Sequence, residues 1–245
     1  MYIEKYTKLK SGQYKLSFNN NTNCLLHEDL ILKHNLLINK EIDDEKLDEL
    51  LEENKSYIAY DLALNYLKVK MRTKKEIKEY LLKKEISNDL IDNAIDILTK
   101  QGYLNDDIYC KAFINDRINL SNDGPYKIKE CLLKLGIKEE AINKNIIVFD
   151  EELELERIKK LINKQIKSNH NKSANILKRK IIDNLTVLGY TKSLVIREIE
   201  KIDVDDNDIK EKEYKKIYDK LSKKYSGKEL EYKVKQKMYQ KGFMM

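Results

Sequence analysis

The chain lacks tryptophan altogether and carries one proline, Pro125, and 7 glycines in 245 residues. So few turn formers cannot punctuate the many short strands of a β-sandwich or an all-β barrel, and a mainly α fold is expected instead. The three cysteines, Cys24, Cys110 and Cys131, are odd in number, far apart and free of CxxC spacing. They argue against a disulfide framework or a zinc site and are expected to be buried, inert thiols. No stretch approaches the roughly 20 apolar residues that cross a bilayer, and the charged N-terminus has no apolar signal core, so a soluble, cytoplasmic protein is expected. P-loop, GxGxxG, GxSxG and HExxH motifs are all missing, and the only histidines are His27, His34 and His170. No catalytic, cofactor-binding or metal-binding residue and no small-molecule substrate is therefore assigned. Acidic clusters at Asp43 to Glu45, Asn105 to Asp107 and Asp203 to Asp208 are read as solvated turns and helix N-termini, where the helix dipole favours negative charge, rather than as cation sites.

Charge is abundant and unevenly spread. Residues 1 to 60 hold 8 basic and 11 acidic side chains, residues 61 to 150 hold 16 and 15, and residues 151 to 245 hold 24 and 16, which gives balances of −3, +1 and +8. Only 5 of the 48 basic residues are arginine, a sign of AT-rich codon choice, but codon choice acts on the whole chain and does not produce a basic C-terminal half. From Arg157 to Lys192 ten basic residues face a single acid, Asp183, and from Lys210 to Lys241 twelve lysines face five acids. Two readings stand: a solvated helix exterior, or a surface for phosphate backbones. For the second, Lys159, Lys160, Lys164, Lys178, Arg179, Lys180, Lys215, Lys216, Lys223 and Lys224 are the DNA- or filament-binding candidates. Tyr218, Tyr225, Tyr232 and Tyr239 recur every seven residues, a spacing read as helix packing in preference to a base-stacking platform.

Along the chain, Tyr14, Leu16 and Phe18 alternate with Lys15 and Ser17 between turns at Ser11-Gly12 and Asn19 to Asn23, so two or three short strands are expected near the N-terminus. A helical pattern begins at Asp43 to Glu53 and continues to the end. Within it Ile77, Leu81, Ile86 and Ile91 match Ile128, Leu132, Ile137 and Ile142, then Ile181, Leu185, Tyr190 and Val195, then Val234, Met238 and Phe243, at offsets of 51, 53 and 53. Gly136, Gly189 and Gly242 each stand before the apolar residue that closes a helix, as in a Schellman cap, while the first copy has Glu85 there. Thr73 with Glu76 and Ser226 with Glu229 have capping-box spacing. The expected fold is mainly α, with tandem three-helix-bundle repeats in an elongated array after a short β-containing N-terminal extension. The units are placed at 1–55 (extension), 56–104, 105–150, 151–204 and a partial 205–245, and the first repeat is expected to use helices at Tyr57 to Lys70, Lys74 to Lys84 and Asn88 to Lys100. A compact bundle with accidental similarity is the alternative. At the end of the first repeat, Tyr103 is expected to plug the joint to the second, with Asn105 or Asp106 capping the next helix, so that Tyr103→Ala would cost about 3 to 5 kcal/mol.

The run Gly102-Tyr103-Leu104-Asn105-Asp106, followed by Tyr109, Ala112, Phe113, Arg117, Gly124 and Leu132-Leu133-Lys134-Leu135-Gly136-Ile137, resembles the core signature of the RecX family, bacterial regulators of the RecA recombinase. Ala63, Leu67, Arg72, Glu76-Ile77 and Leu81 through Lys84-Glu85-Ile86 look like that family's first repeat. The likeness covers about residues 56 to 245, and the stretch from Asp29-Leu30 to Leu36-Leu37 resembles the extension of longer members from low-GC Gram-positive bacteria. Glu85 departs from the family's usual glycine. The resemblance implies a non-enzymatic protein of tandem three-helix repeats that binds RecA filaments and single- and double-stranded DNA, inhibits RecA ATPase and strand exchange, and so modulates recombination, DNA repair and the SOS response. Composition alone leaves open a general DNA-binding helical protein that acts independently of RecA, or a helical scaffold for another partner.

Overall fold

The computed structural model describes residues 1–9, 12–169 and 172–244, so Ser11 of the first turn and His170 lie outside it. The chain forms two compact units, Met1–Tyr109 and Cys110–Met245.

In the first unit, strands β1 (Ile3–Lys8), β2 (Gln13–Phe18) and β3 (Asn23–His27) form an antiparallel sheet in that order. Period-two alternation turns Leu16 and Phe18 inward beside Ile3 and Leu26, and helix α1 (Glu28–Lys33) adds Leu30 and Ile31 to the same core. Helix α2 (Asp44–Leu67) starts at Asp43, whose Oδ1 accepts the Lys46 N–H at 2.7 Å. It runs unbroken across residues 55 and 56, where the sequence pattern places the end of the extension, and it serves two cores: Leu50 lies under the sheet, and Ala59 and Ala63 lie in the first helical bundle. Asn54 explains the continuity. A polar residue in this position reads as an interruption, yet its side chain is buried and satisfied, accepting the His27 N–H at 2.8 Å and donating to the Leu25 carbonyl at 3.0 Å. His27 stacks on Tyr57 and sets its Nε2 3.0 Å from Asp61, and Glu53 meets Lys33 and His34. The hydrogen bond from Lys33, then that from His34, holds the Glu53 carboxyl below its ordinary range against the effect of burial.

Helices α3 (Lys74–Leu82) and α4 (Asn88–Lys100) close the first bundle with Ile77, Leu81, Ile91, Ala94 and Leu98 inside. The Thr73–Glu76 capping box forms in full, and Arg72 pairs with Glu76 at 3.2 Å while lying over the Tyr66 ring. At the end of α4 the chain corrects one expectation. The Tyr103 N–H closes the cap on the Leu98 carbonyl at 2.9 Å, which turns its ring outward to 58% exposure, and Leu104 enters the core in its place. Asn105, not Asp106, caps the next helix, through its Oδ1 and the Ile108 N–H at 3.1 Å.

The second unit repeats the scheme. Helix α5 (Asp106–Leu120) leads into it, and α6 (Pro125–Lys134), α7 (Glu139–Asn145), a short 3-10 turn at Ile146–Val148, α8 (Glu151–Lys167), α9 (Ala174–Val187), α10 (Lys192–Glu200), α11 (Asn207–Leu221) and α12 (Gly227–Gln240) follow. The periodic positions Ile128, Leu132, Ile137, Ile142, Ile181, Leu185, Tyr190, Val195, Val234, Met238 and Phe243 are all buried, as the 51- and 53-residue offsets require. Each of α6, α9 and α12 ends in the expected double turn, with Ile137, Tyr190 and Phe243 donating to the carbonyls of Leu132, Leu185 and Met238. Ser226 stands at the N-cap of α12 without a side-chain hydrogen bond, so the second capping box does not form.

The copies also interlock. The Gly124 N–H donates to the Leu188 carbonyl at 2.7 Å and the Tyr126 N–H to the Gly189 carbonyl at 3.0 Å, which sets the start of α6 against the end of α9. The backbones approach so closely that a Cβ on Gly124 would sit 2.5 Å from the Gly189 carbonyl. The start of α9 meets the end of α12 in the same way: Ser173 Oγ donates to the Lys241 carbonyl at 2.9 Å, and Asn175 donates to Gly242. Of the thiols, Cys110 is buried, whereas Cys24 and Cys131 are only half-buried, short of the full burial expected; desolvation pushes the Cys24 thiol up to about 11 and keeps it protonated.

Candidate nucleic-acid interface

Several basic residues of the C-terminal half are taken up by the fold. Arg157 on α8 donates to the carbonyls of Ile118 and Ser121 at 2.6 Å each and to the buried Tyr190 hydroxyl at 3.2 Å, tying the exposed end of α5 to α8 and the α9 turn. Arg117 and Lys127 hold the buried Asp123 at 3.2 and 3.1 Å, and the Arg117 guanidinium also covers the Phe113 ring. Lys159 stands 3.9 Å from Glu198, which also binds Lys201 and Arg197; the Lys201 hydrogen bond leads in holding the Glu198 carboxyl low. Lys216 and Lys241 share Glu213 in the same manner. Among the acidic clusters, Asp43 and Asn105 act as helix caps, and Asp206 accepts the Ala174 N–H at the start of α9 at 2.6 Å.

A group of lysines on α8 has no carboxylate beside it. Lys160, Lys164 and Lys167 follow the i, i+4, i+7 spacing of one helix face, and with Asn163 and Ser168 they line an open groove on α8 of about 480 Å³. None of the three has a carboxylate partner among the described residues, nor do Lys178, Arg179 and Lys180 on α9, Lys215 on α11, or Lys223 and Lys224 in the turn before α12. Lys180 instead meets another cation. It holds the Lys172 pKa below the ordinary lysine value, as expected where two like charges lie near each other. In the first 60 residues Lys8, Lys33, Lys46 and Lys55 are each paired with a glutamate.

Of the ten candidates, the structure thus leaves eight free, pairs Lys159 and Lys216, and adds Lys167, which the spacing from Lys160 and Lys164 could have supplied. Of the signature residues, Leu132 is buried, Gly136 turns the chain and Gly124 makes the backbone joint, while Tyr103 is exposed. The tyrosines overturn the packing expectation. Tyr218 lies in the last turn of α11, Tyr225 in the connection that follows, and Tyr232 and Tyr239 on α12, so the seven-residue spacing crosses two helices and makes no single stripe. Only Tyr225 rests on the local core, while Tyr218, Tyr232 and Tyr239 are exposed.

Capped helical repeats define the class of fold, and comparison with known proteins gives it a name. The RecX first three-helix domain matches residues 59–98. The regulatory protein RecX of Lactococcus lactis subsp. lactis is 34% identical over 92% of this chain and 87% of its own, and that of Streptococcus pneumoniae is 33% identical over 98% and 95%. A crystal structure of a regulatory protein RecX superposes with a TM-score of 0.71 at 23% identity, covering 82% of this chain and all of the other. RecX from Lactobacillus salivarius superposes with a TM-score of 0.57 at 27% identity, covering 61% of this chain and 99% of its own. The chain belongs to the RecX family of regulatory proteins.

Proposed function

We propose that this chain is a non-enzymatic cytoplasmic regulator that binds RecA nucleoprotein filaments together with single- and double-stranded DNA, inhibits RecA ATPase and strand exchange, and so modulates recombination and DNA repair. The observation that carries the reading is the lysine face of α8, Lys160, Lys164 and Lys167, which has no carboxylate partner among the described residues. Free ammonium groups in register along a helix neutralise phosphates and release their counterions, whereas paired ones first have to give up a protein partner. Lys178, Arg179, Lys180, Lys215, Lys223 and Lys224 extend the same chemistry over the later helices. In this reading the units at 56–104, 105–150, 151–204 and 205–245 act as successive modules along the filament, and membrane and small-molecule partners have no part.

The test is ATP hydrolysis by RecA assembled on single-stranded DNA, with this protein added up to stoichiometric amounts. Hydrolysis is expected to fall as the protein binds. Unchanged hydrolysis together with absent filament binding would sink the reading, and DNA binding of equal strength with and without RecA would identify a general DNA-binding protein instead.

A further inference from the structure

The flank shared by α11 and α12 holds a second surface with different chemistry. Tyr214 and Tyr218 stand one turn apart on α11 with stacked rings, their centroids 6.0 Å apart and planes inclined by 23°. Tyr214 joins Asn207, Lys210, Glu211 and the α12 residue Lys235 around an open cavity of about 550 Å³. Lys235 carries the surface onward, because Tyr232 precedes it by three residues and Tyr239 follows it by four, the spacing of one helix flank. Tyr232 and Tyr239 are 64% and 77% exposed. Tyr239 also borders a groove that contains Arg179 of α9. The local core is complete without these rings, being built from Leu230, Val234, Met238 and Phe243 with Ile209, Ile217, Leu221 and Tyr225 against it.

Exposed rings beside a cavity could seat a protein or a nucleic acid, and the charges decide between them. Lys210, Lys235 and Arg179 have no carboxylate partner among the described residues, and the stretch from Lys210 to Lys241 carries twelve lysines against five acids. This surface complements a polyanion. A duplex hides the faces of its bases, whereas an unpaired strand presents them to aromatic rings. Glu211 in the cavity wall repels a phosphate placed inside and leaves that space to a base edge, with the phosphates on the lysines at the rim.

We propose that this flank is a base-stacking site for single-stranded DNA, with Tyr214, Tyr218, Tyr232 and Tyr239 under the bases and Lys210, Lys235 and Arg179 on the phosphates. The proposal rests on the DNA-binding part of the reading above and adds a strand-selective site separate from the α8 lysine face. The full-length chain is titrated against fluorescein-labelled oligo(dT) and a duplex of equal length, with anisotropy as the readout. Tyr214→Ala with Tyr218→Ala, and Tyr232→Ala with Tyr239→Ala, should each weaken oligo(dT) binding about fivefold or more at unchanged duplex affinity and unchanged salt slope. The corresponding Phe variants, which keep the ring face, should bind as the unaltered protein does. Lys210→Gln with Lys235→Gln should instead flatten the salt slope by about 0.7 for each phosphate no longer neutralised. Four results overturn the proposal: no oligo(dT) binding by the unaltered chain, Ala variants that bind oligo(dT) normally, Phe variants as weak as the Ala ones, or equal losses on the duplex. Ala variants that lose their effect on RecA with oligo(dT) affinity intact would give the surface to a protein partner and overturn it as well. The RecA reading fails on a different result, an unaltered chain without effect on RecA ATPase, which leaves the oligo(dT) comparison between variants standing.

Discussion

Glu85 holds a backbone conformation that its side chain disfavours. Its φ of 62° is the left-handed turn that Gly136, Gly189 and Gly242 adopt at the same place in the later copies, with φ of 81°, 87° and 80°. The hydrogen bonds are also the same: the Ile86 N–H reaches the Leu81 carbonyl at 3.2 Å and the Glu85 N–H reaches Leu82 at 2.9 Å. The departure from the repeat pattern is therefore in the residue and not in the backbone. A left-handed conformation costs a non-glycine residue about 1 to 2 kcal/mol, and glycine loses some of that advantage to the greater freedom of its unfolded chain. Glu85→Gly should raise stability by about 0.5 to 1 kcal/mol, read as a higher urea midpoint at constant m-value. A lower midpoint would show that the Glu85 side chain contributes an interaction that outweighs the strain. Tyr103 makes the complementary point. Its identity marks an aromatic core residue, but one residue of register at the preceding turn decides that Leu104 is the one inside.

Among elements, the joint between α6 and α9 rests on backbone rather than on side chains. Gly124 has an ordinary φ of −86°, so it is not needed for its conformational freedom; it is needed because the end of α9 occupies the space of its Cβ. Gly124→Ala should cost about 1 to 3 kcal/mol, the usual penalty of overpacking, with loss of the Gly124–Leu188 hydrogen bond as α6 and α9 separate. Gly102 offers the control, since a Cβ there meets nothing within 4 Å and an alanine suffers only from its φ of 82°. Equal melting temperatures for Gly124→Ala and the unaltered protein would mean that α6 and α9 shift apart freely. Contacts between elements also explain the single helix α2. Propensity sees Asn54, Lys55 and Ser56 as a polar interval, while the sheet supplies the partners that make Asn54 a good interior residue.

For the whole molecule, the charge asymmetry along the sequence becomes an asymmetry of pairing. Lys160→Gln, Lys164→Gln and Lys167→Gln together should weaken DNA or filament binding and flatten its dependence on salt by about 0.7 to 0.9 log units for each phosphate left without its cation. The fold should scarcely respond, because exposed charges contribute little to stability. Lys8→Gln, Lys33→Gln and Lys46→Gln, made together where each lysine already faces a glutamate, should leave binding nearly intact. Equal weakening by both triples, measured in the same titration, would strip the charge polarity of functional meaning.

The helical class, the N-terminal strands and the core positions that recur at offsets of 51 and 53 residues were legible in the sequence. Those features depend on local rules: period two and period 3.6, the hydroxyl-to-carboxylate spacing at Thr73, and the apolar residue after each left-handed turn. It also located the basic half, because charge survives as a sum whatever the fold. Which of those charges remain free depends on contacts between residues distant in the chain. Arg157 and Lys159 stand in the same run as Lys160 and Lys164, yet two carbonyls and a tyrosine from elsewhere in the chain claim the first and Glu198 claims the second. The tyrosines changed roles for the same reason. A seven-residue spacing specifies a face only while one helix continues, and the turn between α11 and α12 ends that continuity, leaving the rings of Tyr218, Tyr232 and Tyr239 in water where periodicity placed them in a core.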